Sequence, residues 1–339
     1  MNLHVMHSID GDTCIMAGTE HAAFIAAGAV CDAIDRVMQK DSPVRNAFCG
    51  VRPPGHHAEP HRTMGFCFFN NVGIGARYAL ETYAIRRVLI LDFDVHHGNG
   101  MQAKFQSDQN ADILFISTHQ SPCYPGTGKA RETGANNNII NIPLPPGAGS
   151  VQYRRVFDDK ILPAMHAFRP DLILISAGFD AHRLDPLAEL EFETEDYYYV
   201  TKRVTDVAWE YAQGRVVSVL EGGYNLQALA DSAAAHVRAL THGSQPPDPR
   251  VAGDVDSLAM SLETKLSLAQ SSPKELRAVV HHGGKQKIVV IPDRSLQTLM
   301  KLCSGKFRKK MSSVKTAQGQ VVTDDSMIGF VHDCHLHVS

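Results

Sequence analysis

The run Arg87-Val88-Leu89-Ile90-Leu91 leads straight into Asp92-Phe93-Asp94-Val95-His96-His97-Gly98-Asn99-Gly100, and this junction constrains the fold more than any other segment. A short apolar run without alternation reads as a strand covered on both faces, hence one inside a sheet. Two carboxylates and two imidazoles then crowd beyond its end. If the extended backbone continues, Asp92, Asp94 and His96 share one face, because strand side chains alternate with period two.

The pattern recurs along the chain. Pro53-Pro54-Gly55-His56-His57-Ala58, Ser176-Ala177-Gly178-Phe179-Asp180 and Glu221-Gly222-Gly223-Tyr224 each follow an apolar run. Strands are expected at 47–51, 87–91, 113–117, 139–142, 172–176 and 216–220, and helices at 20–39, 70–83, 151–168, 195–213 and 226–242. Pro163 should bend or break its helix. Thr194 and Asn225 are expected N-caps, and Gly214 and Gly243 expected stops. Apolar strands alternating with amphipathic helices predict an α/β fold, a parallel sheet with helices on both faces. Every chemical segment lies just past a strand's carboxyl end, where open α/β sheets place their sites.

The character changes at Gly243-Ser244-Gln245-Pro246-Pro247, a linker by composition. We expect one domain over 1–243, a linker with an amphipathic helix over 244–273 (the helix at 255–270), and a small α+β domain over 274–339. Its pattern is strand 276–281, a Gly283-Gly284 turn, strand 287–291, helix 295–304, then strands 313–316, 321–323 and 335–338, an order that resembles a β-grasp. The basic cluster Lys306–Lys310 reads as a solvated face. A protein partner is the expected use of this domain.

The formal net charge of −3 offers no broad footprint for nucleic acid. Cysteines at 14, 31, 49, 67, 123, 303 and 334 form no CxxC, which suits a reducing compartment rather than a disulfide framework. No signal-like or membrane-spanning apolar segment is seen, so a soluble intracellular protein, nuclear or cytoplasmic, is expected.

Asp94, His96 and Asp180 form an oxygen–nitrogen ligand set suited to zinc, and three protein ligands leave a position open, as catalysis requires. His56 and His57 are either surface residues or groups that titrate beside a metal-activated water; Asp92 and Asn99 are the available partners for their rings. An aspartate partner raises a histidine's basicity more than an asparagine does, so the two would differ in pKa. Tyr224, after paired glycines, could aim its hydroxyl into a cleft and stabilise an oxyanion. The loops Gly65-Phe66-Cys67-Phe68-Phe69 and Pro122–Gly128 either pack on the core or line an apolar channel.

Together, RPPGHHAEP (52–60), MGFCFFNNV (64–72), LDFDVHHGNG (91–100), YPGTG (124–128), SAGFDAHRLDP (176–186) and LEGGYNL (220–226) resemble the zinc-dependent histone deacetylase family. The closer resemblance is to its class II-like branch, which includes acetylpolyamine amidohydrolases, and it covers residues 8–242. It implies the arginase/deacetylase fold, one catalytic zinc on Asp94, His96 and Asp180, and hydrolysis of the acetyl amide of N6-acetyl-lysine in a protein. It makes His57 the general base and then acid, and His56, paired with Asp92, an electrostatic partner. Tyr224 polarises the carbonyl, the Gly65 carbonyl accepts the scissile amide's hydrogen bond, and Phe66 and Tyr124 wall the acyl-lysine tunnel. It also implies a structural potassium ion at Asp92, Asp94, His96, Ser117 and Thr118, and a further N-terminal stretch with a strand and a rim loop. Rival readings are deacetylation of small acetylated polyamines, an arginase-like two-metal site, and an inert scaffold that recruits partners through the C-terminal domain.

Overall fold

The computed structural model describes residues 7–108, 112–242 and, as backbone only, four C-terminal strands within 276–338. It divides into two compact units, Met1–Ala259 and Met260–Ser339.

The first unit opens with a short antiparallel hairpin, β1 (His7–Ser8) and β2 (Cys14–Ile15), then helix α1 (Thr19–Met38). Strand β3 (Asn46–Cys49), helix α2 (Asn71–Thr82), strand β4 (Val88–Asp92), helix α3 (Asn99–Phe105), and strands β5 (Ile113–Gln120) and β6 (Ile139–Leu144) follow. Next come α4 (Ser150–Val156), a π-helical turn (Phe157–Ile161), α5 (Leu162–Phe168), β7 (Leu172–Ala177), α6 (Thr194–Tyr211), β8 (Val216–Leu220) and α7 (Leu226–Thr241). No helix among the described residues is long and apolar enough to cross a membrane.

Six strands form one parallel sheet in the order β3-β8-β7-β4-β5-β6. Both faces are covered, which explains the unbroken apolar runs. Leu89, Leu91, Ile173 and Ile175 point into a core shared with the helices from α4 to α7. Val88, Ile90, Leu172 and Leu174 point into a second core under α1 and α2. After β4 the chain moves outward to β5 and β6, then returns to the other side of β4 as β7. That reversal opens a crevice at the carboxyl ends of β4 and β7.

Several expectations are corrected. Strand β4 stops at Asp92, so Asp94 and His96 do not continue its face. The Asp94 N–H donates to Asp92 Oδ1 at 3.1 Å and the His96 N–H to Asp94 Oδ1 at 2.8 Å; carboxylates that capture the backbone two residues on turn the chain out of the strand. Pro163 does perturb its helix as expected, by a π turn rather than an end: the Leu162 N–H reaches back five residues to Phe157, opening the helix just before the ring that would otherwise clash. The N-cap of α6 is Glu193 rather than Thr194, in a reciprocal capping box with Asp196. Asn225 does cap α7, accepting from the Ala228 N–H at 3.0 Å. Gln213 and Gly214 both adopt positive φ beyond the end of α6.

The second unit contains strands β9 (Leu276–His282), β10 (Lys285–Ile291), β11 (Val314–Thr316) and β12 (His335–Val338). Their order is β10-β9-β12-β11, with β9 and β12 parallel in the centre and antiparallel pairs outside. Gly243 and the expected elements at 255–270, 295–304 and 321–323, like the Lys306–Lys310 cluster, lie outside the described residues.

Candidate metal centre and channel

Three acceptors converge at the crevice. His96 Nδ1 lies 3.1 Å from both Asp94 Oδ1 and Asp180 Oδ2. Asp180 Oδ1 accepts the Val95 N–H at 2.9 Å and Asp94 Oδ2 the Gly222 N–H at 2.9 Å, so each carboxylate is aimed by a backbone donor. One ligand atom from each residue fits within 4.8 Å of the others, and all three residues are buried. Glycines make the room: a Cβ on Gly178 would stand 2.1 Å from Asp94 Oδ2, and one on Gly222 2.1 Å from Asp180 Oδ2.

Asp92 faces elsewhere, accepting from His56 Nδ1 at 3.0 Å. His57 Nδ1 meets Asn99 Oδ1 at 2.8 Å. Because Asn99 Nδ2 donates to Glu59 Oε1 at 2.7 Å, Asn99 presents its oxygen to His57. His57 therefore carries its proton on Nδ1, and Nε2 keeps a lone pair. The imidazole rings sit 3.9 Å apart between centroids.

The two rings have opposite fates. Burial opposes charge on His56, but Asp94 and Asp92 outweigh it and raise its pKa to about 10. For His57, burial and then the neighbouring His56 charge push the pKa well below the ordinary value. Burial lifts Asp92 and Asp180 to about 6 and Glu221 to about 7. Four buried carboxylates thus surround a small volume. Among them, Asp94 and Asp180 with His96 form a donor set that could hold a metal ion, and its oxygens and nitrogen fit zinc with an open position.

Tyr224 lines the same cavity, of about 210 Å³, with His57, Phe66, Tyr124, Leu187 and Asp12. Burial, then Asp94 and Asp180, drive its phenol pKa far up, so its hydroxyl remains a donor. Gly65 and Phe66 are the central residues of a turn closed by Cys67 N–H to the Met64 carbonyl at 3.0 Å, with φ of 55° and 66°. A Cβ on Gly65 would collide with His57 Cδ2 at 2.4 Å, so glycine lets this turn lie against the imidazole. The positive φ at Phe66 is strained for a bulky residue, and its N–H is tied to Thr13 Oγ1 at 3.0 Å. The Tyr124 ring stands edge-on to His57 at 5.1 Å and the Phe66 ring 6.1 Å from Tyr224.

Ser117 pairs in register with Asp92, and Thr118 follows it, both buried on β5. The Ser117 hydroxyl is occupied by His119 Nδ1 at 3.0 Å.

Sequence reasoning missed two buried carboxylates that hold the loops. Glu221 Oε2 accepts the N–H groups of Gly55 at 2.7 Å and His56 at 3.1 Å. Asp185 Oδ2 accepts the Tyr224 N–H at 2.7 Å. Both residues sit inside motifs already quoted, which was the only signal for them.

The family model for the histone deacetylase domain matches residues 2–240. Histone deacetylase 14, chloroplastic, of Arabidopsis thaliana is 47% identical over 238 residues, 68% of this chain and 55% of that protein. Histone deacetylase 10, chloroplastic, of Oryza sativa subsp. japonica is 44% identical over 261 residues, 75% of this chain and 57% of its own. The chain thus spans little more than half the length of these relatives. The crystal structure of the HDA15 HD domain superposes with a TM-score of 0.66 at 35% identity, covering 79% of this chain and 76% of that one. With this fold, this site and these matches, the chain belongs to the histone deacetylase family.

Proposed function

We propose that the chain is a zinc-dependent amidohydrolase that cleaves the acetyl amide of N6-acetyl-lysine in proteins, releasing acetate. The observation that carries this reading is the buried Asp94–His96–Asp180 set beside an aromatic-walled cavity that also admits His57 and Tyr224. Zinc held by those three residues would supply a Lewis acid and activate water.

The protein's groups divide the remaining work. An acyl-lysine side chain passes between Phe66 and Tyr124. The Gly65 carbonyl, which already accepts the Cys67 thiol at 3.2 Å, has a second lone pair for the scissile N–H. The bare Nε2 of His57 takes a proton from the attacking water and returns it to the departing lysine amine. Charged His56, held by Asp92, keeps His57 neutral until that moment. The Tyr224 hydroxyl donates to the carbonyl oxygen as it gains charge. Ser117 and Thr118 beside Asp92, Asp94 and His96 are the proposed potassium site. Residues 274–339 are proposed as a separate partner-binding domain after a 244–273 linker, with 1–243 catalytic.

Metal analysis joined to turnover tests the reading. One zinc per chain is expected, with acetate released faster from acetyl-lysine peptides than from acetylspermidine. A faster polyamine reaction would shift the substrate class, and a metal ratio near two would revive the arginase-like site. Stably folded protein that binds zinc but no hydroxamate and turns over neither substrate would be the scaffold. Folded protein with no affinity for a divalent ion would remove the proposal. Two relatives are chloroplastic by name, so microscopy of a tagged chain should score nucleus, cytoplasm and plastid.

A further inference from the structure

Tyr224 has no helix or strand to hold it. It follows Gly223, whose φ is 134°, in the loop between β8 and α7, and its ring faces the open cavity. A phenol placed this way needs something to fix its backbone. The buried Asp185 supplies it from a loop far away in sequence. Asp185 Oδ2 accepts the N–H of Tyr224 at 2.7 Å and of Asn225 at 3.3 Å. Its Oδ1 accepts the Leu187 N–H at 3.0 Å. One carboxylate therefore ties three backbone donors. Two belong to the tyrosine loop and the third to Leu187, another wall of the same cavity.

The anchor is itself braced. The Asp185 N–H donates to the His182 carbonyl at 2.8 Å, and the Glu189 N–H donates to Gln120 Oε1 at 2.7 Å, fixing both ends of the 182–189 loop. The loop begins two residues after the proposed metal ligand Asp180.

We infer that Asp185 is a positioning residue that sets the Tyr224 hydroxyl against the scissile carbonyl. The inference rests on the deacetylase reading of the site. Asp185 belongs neither to the cavity lining nor to the Asp94–His96–Asp180 set, and it acts through Tyr224.

Kinetics of Asp185→Ala, Tyr224→Phe and the double variant, on acetyl-lysine and trifluoroacetyl-lysine peptides with zinc content measured, test it. The trifluoroacetyl carbonyl is already electron-poor and depends less on a polarising donor. Asp185→Ala is expected to keep its zinc and lower kcat on the acetyl peptide by about 10- to 100-fold, as misplaced catalytic groups do. Its loss on the trifluoroacetyl peptide should be smaller, and the double variant should be no slower than Tyr224→Phe alone. Additive losses, equal losses on both peptides, loss of zinc, or an unchanged kcat would each overturn the role of Asp185. If Asp185→Ala does not fold, Asp185→Asn, whose amide oxygen still accepts one N–H, carries the same comparison. A wild-type chain silent on both peptides would instead overturn the functional reading itself.

Discussion

At the scale of single residues, His56 and His57 are adjacent yet differ in charge: Asp94 and Asp92 hold His56 charged against its burial, whereas burial and then the His56 charge keep His57 neutral. An aspartate faces one Nδ1 and an asparagine the other. Replacing Asn99 with Asp puts a carboxylate on His57, raises its pKa and leaves less free base at a given pH. The acidic limb of kcat/KM should therefore move to higher pH, as a pH–rate profile would show. Tyr224→Phe is expected to fold and retain zinc while kcat falls about 10²- to 10³-fold, the usual cost of one oxyanion donor. An undiminished rate on acetyl-lysine peptide would remove the tyrosine from the mechanism. The proposed metal ligands were legible because two of them fall in three consecutive residues beyond a strand. Glu221 and Asp185 were not. A carboxylate that bonds backbone N–H groups 166 or 39 residues away leaves no periodic trace.

At the scale of elements, α6 is pinned by Asp196, a fully buried residue that closes the capping box and also binds Ser150 Oγ at 2.6 Å and Arg154 Nε at 2.7 Å. Asp196→Ala should cost about 2–3 kcal/mol in urea unfolding, a lost cap plus partners left unpaired. Under β8, the Thr201 hydroxyl donates to the Tyr197 carbonyl, so it accepts from His236 Nδ1 at 2.6 Å, and His236 Nε2 accepts from Ser218 Oγ at 2.8 Å. Burial lowers the pKa of His236 to about 3. The unfolded chain then binds the extra proton first, so this contribution to stability is whole above about pH 6.5 and is lost as pH falls toward 3. His236→Gln should flatten that part of the stability–pH curve. The covered strands were readable because both faces are apolar, whereas α3 was hidden by Gly98 and Gly100. Strand β6 was read as too short because Pro143 sits inside it; as an edge strand it can do without that N–H on its open side.

At the scale of the whole molecule, chelating the metal should lower Tm. A ligand at about a hundred times its Kd adds roughly 2.7 kcal/mol, which is about 5–10 °C for a domain of this size. A thermal scan with and without chelator, at fixed pH, checks it. The sheet order carries a further consequence. Strand β3 lies beside β8, and the acidic end of β4 meets its companion only when β7 docks, so the proposed cation pocket is closed by a residue 84 positions downstream. A ribosome that has released only the amino-terminal half of this sheet has exposed an incomplete claw. Capture of an ion there would wait until the sequence has been made past Asp180, and Leu187, Gly222 and Tyr224 wall the cavity only after that.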